Sequence, residues 1–135
     1  MRAKPFLDTN VLVYAFADAD VRKARAASLI AAGGVVSVQV LNEFVDVARR
    51  RLGRDWASVV AALDTLTEVL DAPVPLTADL HREAVDLAWR YGFRIYDSLI
   101  LAAARRAGCR VLYSEDMQDG QVIEGVRISN PFAGP

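Results

Sequence analysis

The sequence holds a single cysteine, Cys109, and a single histidine, His81. One cysteine allows no internal disulfide and no thiolate-based zinc site. One histidine excludes chemistry that passes a proton between two imidazoles. A lone Ser-His-Asp triad survives that count, but no serine stands in a G-x-S-x-G turn. Lysine is scarce too: Lys4 and Lys23 are the only lysines among 16 cations, so no late lysine is available to clamp a phosphate. Long apolar runs are missing, and the longest, Val11 to Ala17 and Leu99 to Ala104, fall far short of the roughly 20 residues that cross a bilayer. No membrane span is expected. Met1 to Pro5 carry two cations but lead to the polar Asp8-Thr9-Asn10 without an apolar h-region, so no signal peptide is read and a cytoplasmic protein is expected. Neither charge dominates, with 16 cations against 17 anions, so a polyanionic substrate would have to be met by a local patch.

What is present is a folding chain. Its 135 residues, 53% apolar and 24% charged, predict one domain over residues 1–135 with a sizeable core. A mean hydropathy of +0.20 is high for so small a chain and favours an interface. Pro5-Phe6-Leu7 reads as a strand ending at Asp8, and Val11 to Phe16 as a short helix. Arg22 to Ala32 predicts a helix stopped by Gly33-Gly34. Val35-Val36 predicts a second strand. Ser37, Asp55 and Thr77 stand where helix N-caps are expected, opening helices that end near Arg51, before Pro73 and at Tyr91. Trp56, Val59, Val60, Leu63 and Leu66 are expected to face inward, and Trp89 is also expected in the core. Pro73-Val74-Pro75-Leu76 suits an edge or a linker. Ile95 to Ala107 is apolar enough to be a central helix, followed by strands at Arg110 to Tyr113 and Val126 to Ile128. Strands alternating with helices predict an α/β fold with a short, mostly parallel sheet.

In such a sheet ligands bind beyond the carboxyl ends of the strands. Asp8 follows the first strand; Asp116 and Asp119 follow the Val111 to Tyr113 strand. Glu43 lies beside the apolar stripe of Leu41, Phe44 and Val45, an odd place for a charge without a partner. Asp97 opens the most apolar helix. Carboxylates converging in this way raise one another's pKa unless a cation joins them. Oxygen ligands without histidine or thiolate favour Mg²⁺ or Mn²⁺ over zinc, and such an ion supports phosphodiester hydrolysis. Asp8 and Asp97 are expected as principal ligands, Glu43 and Asp116 as ligands or water positioners, and Asp119 as an outer acid. Thr9, Asn10 and Ser114 are expected to orient carboxylates or a scissile phosphate.

These residues carry a family resemblance. Phe6-Leu7-Asp8-Thr9-Asn10-Val11-Leu12-Val13-Tyr14, Asn42-Glu43-Phe44, Tyr96-Asp97-Ser98-Leu99-Ile100, Leu112 to Gly120 and Asn130-Pro131-Phe132 occur in the order found in the PIN-domain ribonucleases. Within that family the chain resembles the VapC toxins of bacterial type II toxin–antitoxin pairs. The resemblance implies a PIN-like three-layer α/β/α sandwich and Mg²⁺- or Mn²⁺-dependent endoribonuclease activity. It also implies a homodimer and inhibition by a cognate VapB-type antitoxin. The family roles carry onto Asp8, Glu43, Asp97 and Asp116, while the position of Asp119 varies more.

Other readings compete. A receiver-like or phosphatase-like aspartyl-phosphate domain matches only at Asp8 and needs a late lysine. A catalytically weak PIN-like scaffold would bind RNA or a partner without cutting. Cleavage of DNA is a third, because a metal–carboxylate centre does not itself read the 2′-OH. Two arginine groups, Arg49-Arg50-Arg51 with Arg54 and Arg105-Arg106 with Arg110, invite an RNA-phosphate reading. Both sit at predicted helix C-termini, where cations complement the dipole in any case. His81 is expected on the surface and Cys109 at the edge of the core.

Overall fold

The computed structural model describes residues 3–133. Strand β1 (Phe6–Leu7) leads into helices α1 (Thr9–Ala15), α2 (Lys23–Ala31), α3 (Val38–Arg50), α4 (Trp56–Val69), α5 (Ala78–Tyr91) and α6 (Ile95–Arg106), followed by β2 (Val111–Tyr113), β3 (Val122–Ile123) and β4 (Val126–Ser129). The strands form one sheet in the order β1-β2-β4-β3, with β1, β2 and β4 parallel and β3 antiparallel to β4. It is the mixed α/β, mostly parallel architecture that the alternating pattern predicts.

The helices start where their caps stand. Ser37, Asp55 and Thr77 accept from the backbone N–H of Val40, Ser58 and Leu80, each satisfying a donor that the first helical turn leaves open. Gly92, at φ +73°, ends α5 in the left-handed conformation that costs glycine nothing. Successive strand residues face opposite sides of a sheet, so the complete burial of both Phe6 and Leu7 means that β1 is covered on both faces. At the far edge the sheet opens: Val122 and Arg127 are exposed, while Ile123, Val126 and Ile128 are buried. Helix α6 is buried continuously from Ser98 to Ala104, the central helix its sequence predicts.

Four expectations need correction. Val35 makes only an isolated parallel bridge to Phe6, and Ser37 another to Val74; the chain turns into α3 at Val38 before a strand can extend. Strand β3 escapes a pattern reading because it is two residues long, in a hairpin whose turn residues Glu124 and Gly125 have φ +49° and +83°. Trp56 and Val60 lie on the outer face of α4, 59% and 53% exposed, and Trp89 on α5 is 88% exposed. Val59 and Leu66 take the inward positions on α4, and Leu80, Ala84 and Leu87 those on α5. His81 is exposed and Cys109 is buried, as expected. Burial pushes the Cys109 thiol up to about 11, which makes it a poor nucleophile.

Candidate active site

Parallel pairing of β1 with β2 aligns Leu7 with Tyr113. The residues that follow these strands therefore emerge side by side. The Asp8 N–H still donates to the Tyr113 carbonyl at 3.0 Å, and the Ser114 N–H to the Ser129 carbonyl at 3.1 Å. Beyond that ladder the side chains meet: Ser114 Oγ donates to Asp8 Oδ2 at 2.8 Å, across 106 residues of sequence. The other oxygen, Oδ1, accepts the Thr9 N–H at 2.7 Å, so the same carboxylate caps α1.

Two further acids are held by residues next to Asp8. Thr9 Oγ1 donates to Glu43 Oε2 at 2.7 Å, and Gln39, one turn earlier on α3, donates to Oε1 at 3.2 Å. Asn10 Nδ2 donates to Asp116 Oδ2 at 3.0 Å. The Asp8-Thr9-Asn10 triplet is therefore a hub, one member accepting from Ser114 and the other two reaching α3 and the loop after β2. Asp97 enters from the first turn of α6, half-buried, and its carboxylate accepts no hydrogen bond among the described residues.

Asp8, Glu43, Asp97 and Asp116 line one cavity of about 360 Å³. Burial pushes Asp8 up to about 6, against the hydrogen bonds from Ser114 and Thr9, and the charges of Glu43 and Asp116 add to the rise. Asp97 is also raised, chiefly by burial, with Arg94 opposing and Asp116 and Glu43 assisting. These are carboxylates that feel one another. Asp119 stands apart from this wall: its carboxylate accepts the Asn130 N–H at 2.9 Å and pins the last strand to the loop.

Among the described residues no three His, Cys, Asp or Glu side chains are already drawn to metal-holding spacing. Asp8, Glu43 and Asp116 are each held by separate donors, Ser114, Thr9 and Asn10. The donor set itself fits a hard divalent cation. It is oxygen only, carries an excess of negative charge in one cavity and includes a carboxylate, Asp97, with no competing donor.

Two features of the site lie outside the predicted acids and their donors, although Arg51 belongs to an arginine group that the sequence already marks as a phosphate candidate. Arg51, Arg94 and Tyr96 share the cavity wall with the acids. Arg94 and Tyr96 stand three and one positions before Asp97 in sequence, which was an available signal. Behind Asp116, the Tyr14 hydroxyl donates to Glu115, and Arg22 binds both, reaching Tyr14 Oη at 2.7 Å and Glu115 Oε2 at 3.1 Å. The guanidinium also lies 3.7 Å from the Tyr14 ring centroid. This cluster ties the loop bearing Asp116 to α1 and to the segment before α2.

A family model described as the PIN domain matches residues 6–118. No curated protein matches the chain. Among solved structures, it is similar to the VapC20 toxin of Mycobacterium tuberculosis, described as cleaving the sarcin-ricin loop, with 27% identity over 83% of this chain and 89% of that one and a TM-score of 0.70. A toxin-antitoxin complex from Klebsiella pneumoniae shares the fold at 20% identity, covering 95% and 98% of the two chains with a TM-score of 0.71. So does VapBC2 from Rickettsia felis, bound to a DNA fragment from its promoter, at 19% identity, 93% and 97% coverage and a TM-score of 0.66.

Proposed function

The chain belongs to the PIN-domain family, and from that premise we propose that it is a metal-dependent endoribonuclease, the toxin of a type II toxin–antitoxin pair. The observation that carries this reading is the shared cavity of Asp8, Glu43, Asp97 and Asp116, three of them held by side-chain donors of their own. Similarity to a toxin described as cleaving an RNA loop supports RNA as the substrate. Similarity to two toxin–antitoxin assemblies supports an antitoxin partner.

Asp8 and Asp97 would be the principal ligands of Mg²⁺ or Mn²⁺, with Glu43 and Asp116 completing the set or orienting water. When bound, such an ion lowers the pKa of a water and offsets charge building on the phosphate. The protein's own contribution is orientation. Ser114 and the Thr9 N–H hold the Asp8 carboxylate, Thr9 Oγ1 and Gln39 hold Glu43, and Asn10 holds Asp116. Outer partners of this kind typically contribute about 10- to 100-fold in metal affinity or activity.

The test is incubation of the purified protein, beside Asp97→Asn, with structured total RNA in Mg²⁺, Mn²⁺ or EDTA, with fragment ends mapped. Discrete cuts lost in EDTA and in the variant are expected. Metal binding without cuts under any condition would favour a scaffold that holds RNA or a partner, and absence of metal binding would overturn the site assignment.

A further inference from the structure

The arginines of the sequence divide sharply once their partners are known. Arg50 pairs with Asp46, Arg54 reaches the Phe16 carbonyl, and Arg49 lies over the Trp56 ring while donating to the Arg54 carbonyl at 2.8 Å. Arg106 pairs with Glu83 at 2.8 Å. Arg51, Arg94, Arg105, Arg110 and Arg127 are different: among the described residues none has a carboxylate within 4.0 Å or a side-chain hydrogen bond, and of these Arg51 and Arg94 line the acid cavity. Both are exposed.

Their position is informative. A second cavity, about 690 Å³, adjoins the acid cavity, and Arg51 and Arg94 line both. They therefore stand on the boundary between the two spaces. Of the acids lining the larger cavity, Asp20 and Glu115 are engaged by Arg22, Asp116 accepts from Asn10, and none of them lies within 4.0 Å of these guanidinium groups. Beside the boundary, Tyr96 is 52% exposed on the wall of the acid cavity.

An acid cavity repels a polyanion unless cations hold the strand at its rim. Guanidinium groups bind phosphate through paired N–H donors, and an exposed phenol ring stacks on unpaired bases. The geometry points to a single-stranded RNA path that crosses from the acid cavity into the larger one. Arg51 and Arg94 hold its phosphates at the crossing, and Tyr96 stacks a base beside the cut. This path rests on the nuclease reading and specifies how that site grips its substrate.

The experiment uses a fluorescein-labelled, single-stranded RNA of mixed sequence. Its binding is followed by anisotropy in EDTA across a salt series, with Asp97→Asn as parent so that the strand stays whole. Arg51→Gln and Arg94→Gln should each weaken binding about tenfold and lower the log–log salt slope by about 0.7. Tyr96→Leu should weaken binding about tenfold with the slope unchanged, and Tyr96→Phe should retain it. In the wild-type background the arginine variants should raise KM for RNA more than they lower kcat. Thermal melts establish that each variant is folded. Arginine variants that bind with the parent's affinity and slope overturn the path. If wild-type protein then still cuts RNA, the nuclease reading stands without it. A folded parent that binds no RNA also overturns the path, and cleavage by the wild type decides the nuclease reading separately.

Discussion

Thr9 Oγ1 lies 2.7 Å from Glu43 Oε2, so the first residue of α1 holds an acid of α3 thirty-four positions away. Val at position 9 keeps the shape and deletes the donor. Thr9→Val should lower kcat roughly 10- to 100-fold while leaving RNA affinity nearly unchanged. Thr9→Ser, which keeps the hydroxyl, should recover most of the loss. Steady-state cleavage by the two variants checks this, and equal activity of both would mean that Glu43 needs no such hold.

Asp97→Asn retains side-chain volume and removes one charge from the acid cavity. Cleavage should fall at least about a thousandfold, equivalent to about 4 kcal/mol of lost transition-state stabilisation. The metal-free variant should melt no lower than wild type, because burial, aided by the charges of Asp116 and Glu43, disfavours the charged form of Asp97 by more than Arg94 favours it. Added Mn²⁺ should raise the melting temperature of wild type and not of the variant.

Asp8 gives stability a pH dependence of unusual sign. Its carboxyl is held at about 6 against an ordinary 3.8, so between those values the native chain binds more protons than the unfolded one. Metal-free stability should therefore fall as pH rises from about 4 to about 6, by at most roughly 3 kcal/mol, and level off above. Asp97, raised as well, acts in the same direction. Urea unfolding in EDTA at a series of pH values measures the slope, which Asp8→Asn should flatten. Ser114→Ala deletes a donor to the charged form and should extend the sloping window upward.

Ser98 is completely buried in α6, and its hydroxyl has no hydrogen-bond partner among the described residues. Alanine at this position removes the desolvated hydroxyl and improves helix propensity, so Ser98→Ala should stabilise by about 1 kcal/mol. A higher urea midpoint with an unchanged m-value is the expected result. A lower midpoint would reveal a partner for the hydroxyl.

Much of the site was legible because its acids follow strand ends or interrupt apolar stripes. Asp8 and Asp116 follow from the carboxyl-end rule for parallel sheets, and Glu43 from its odd neighbours. The donors Thr9, Asn10 and Ser114 were legible as types, but which acid each one holds depends on strand register, which the pattern does not encode. Asp119 followed the same strand-end logic and is instead engaged by Asn130. The outward turn of Trp56 and Trp89 was hidden, since a large apolar side chain on an amphipathic helix reads the same whether it meets the core or water. Which arginine stays unpaired was hidden as well, because ion pairing depends on neighbours such as Asp46 and Glu83 brought in by the fold.

The Ser114–Asp8 and Asn10–Asp116 hydrogen bonds each join residues 106 positions apart. During synthesis, β1 has no β2 to pair with until Val111–Tyr113 have emerged, although five of the six helices precede α6 and its strand. The hydrogen bonds that hold Asp8 to Ser114 and Asn10 to Asp116 therefore cannot form in a nascent chain until β2 and the loop after it have been made. The topology itself makes assembly of the acid cavity a late event in folding.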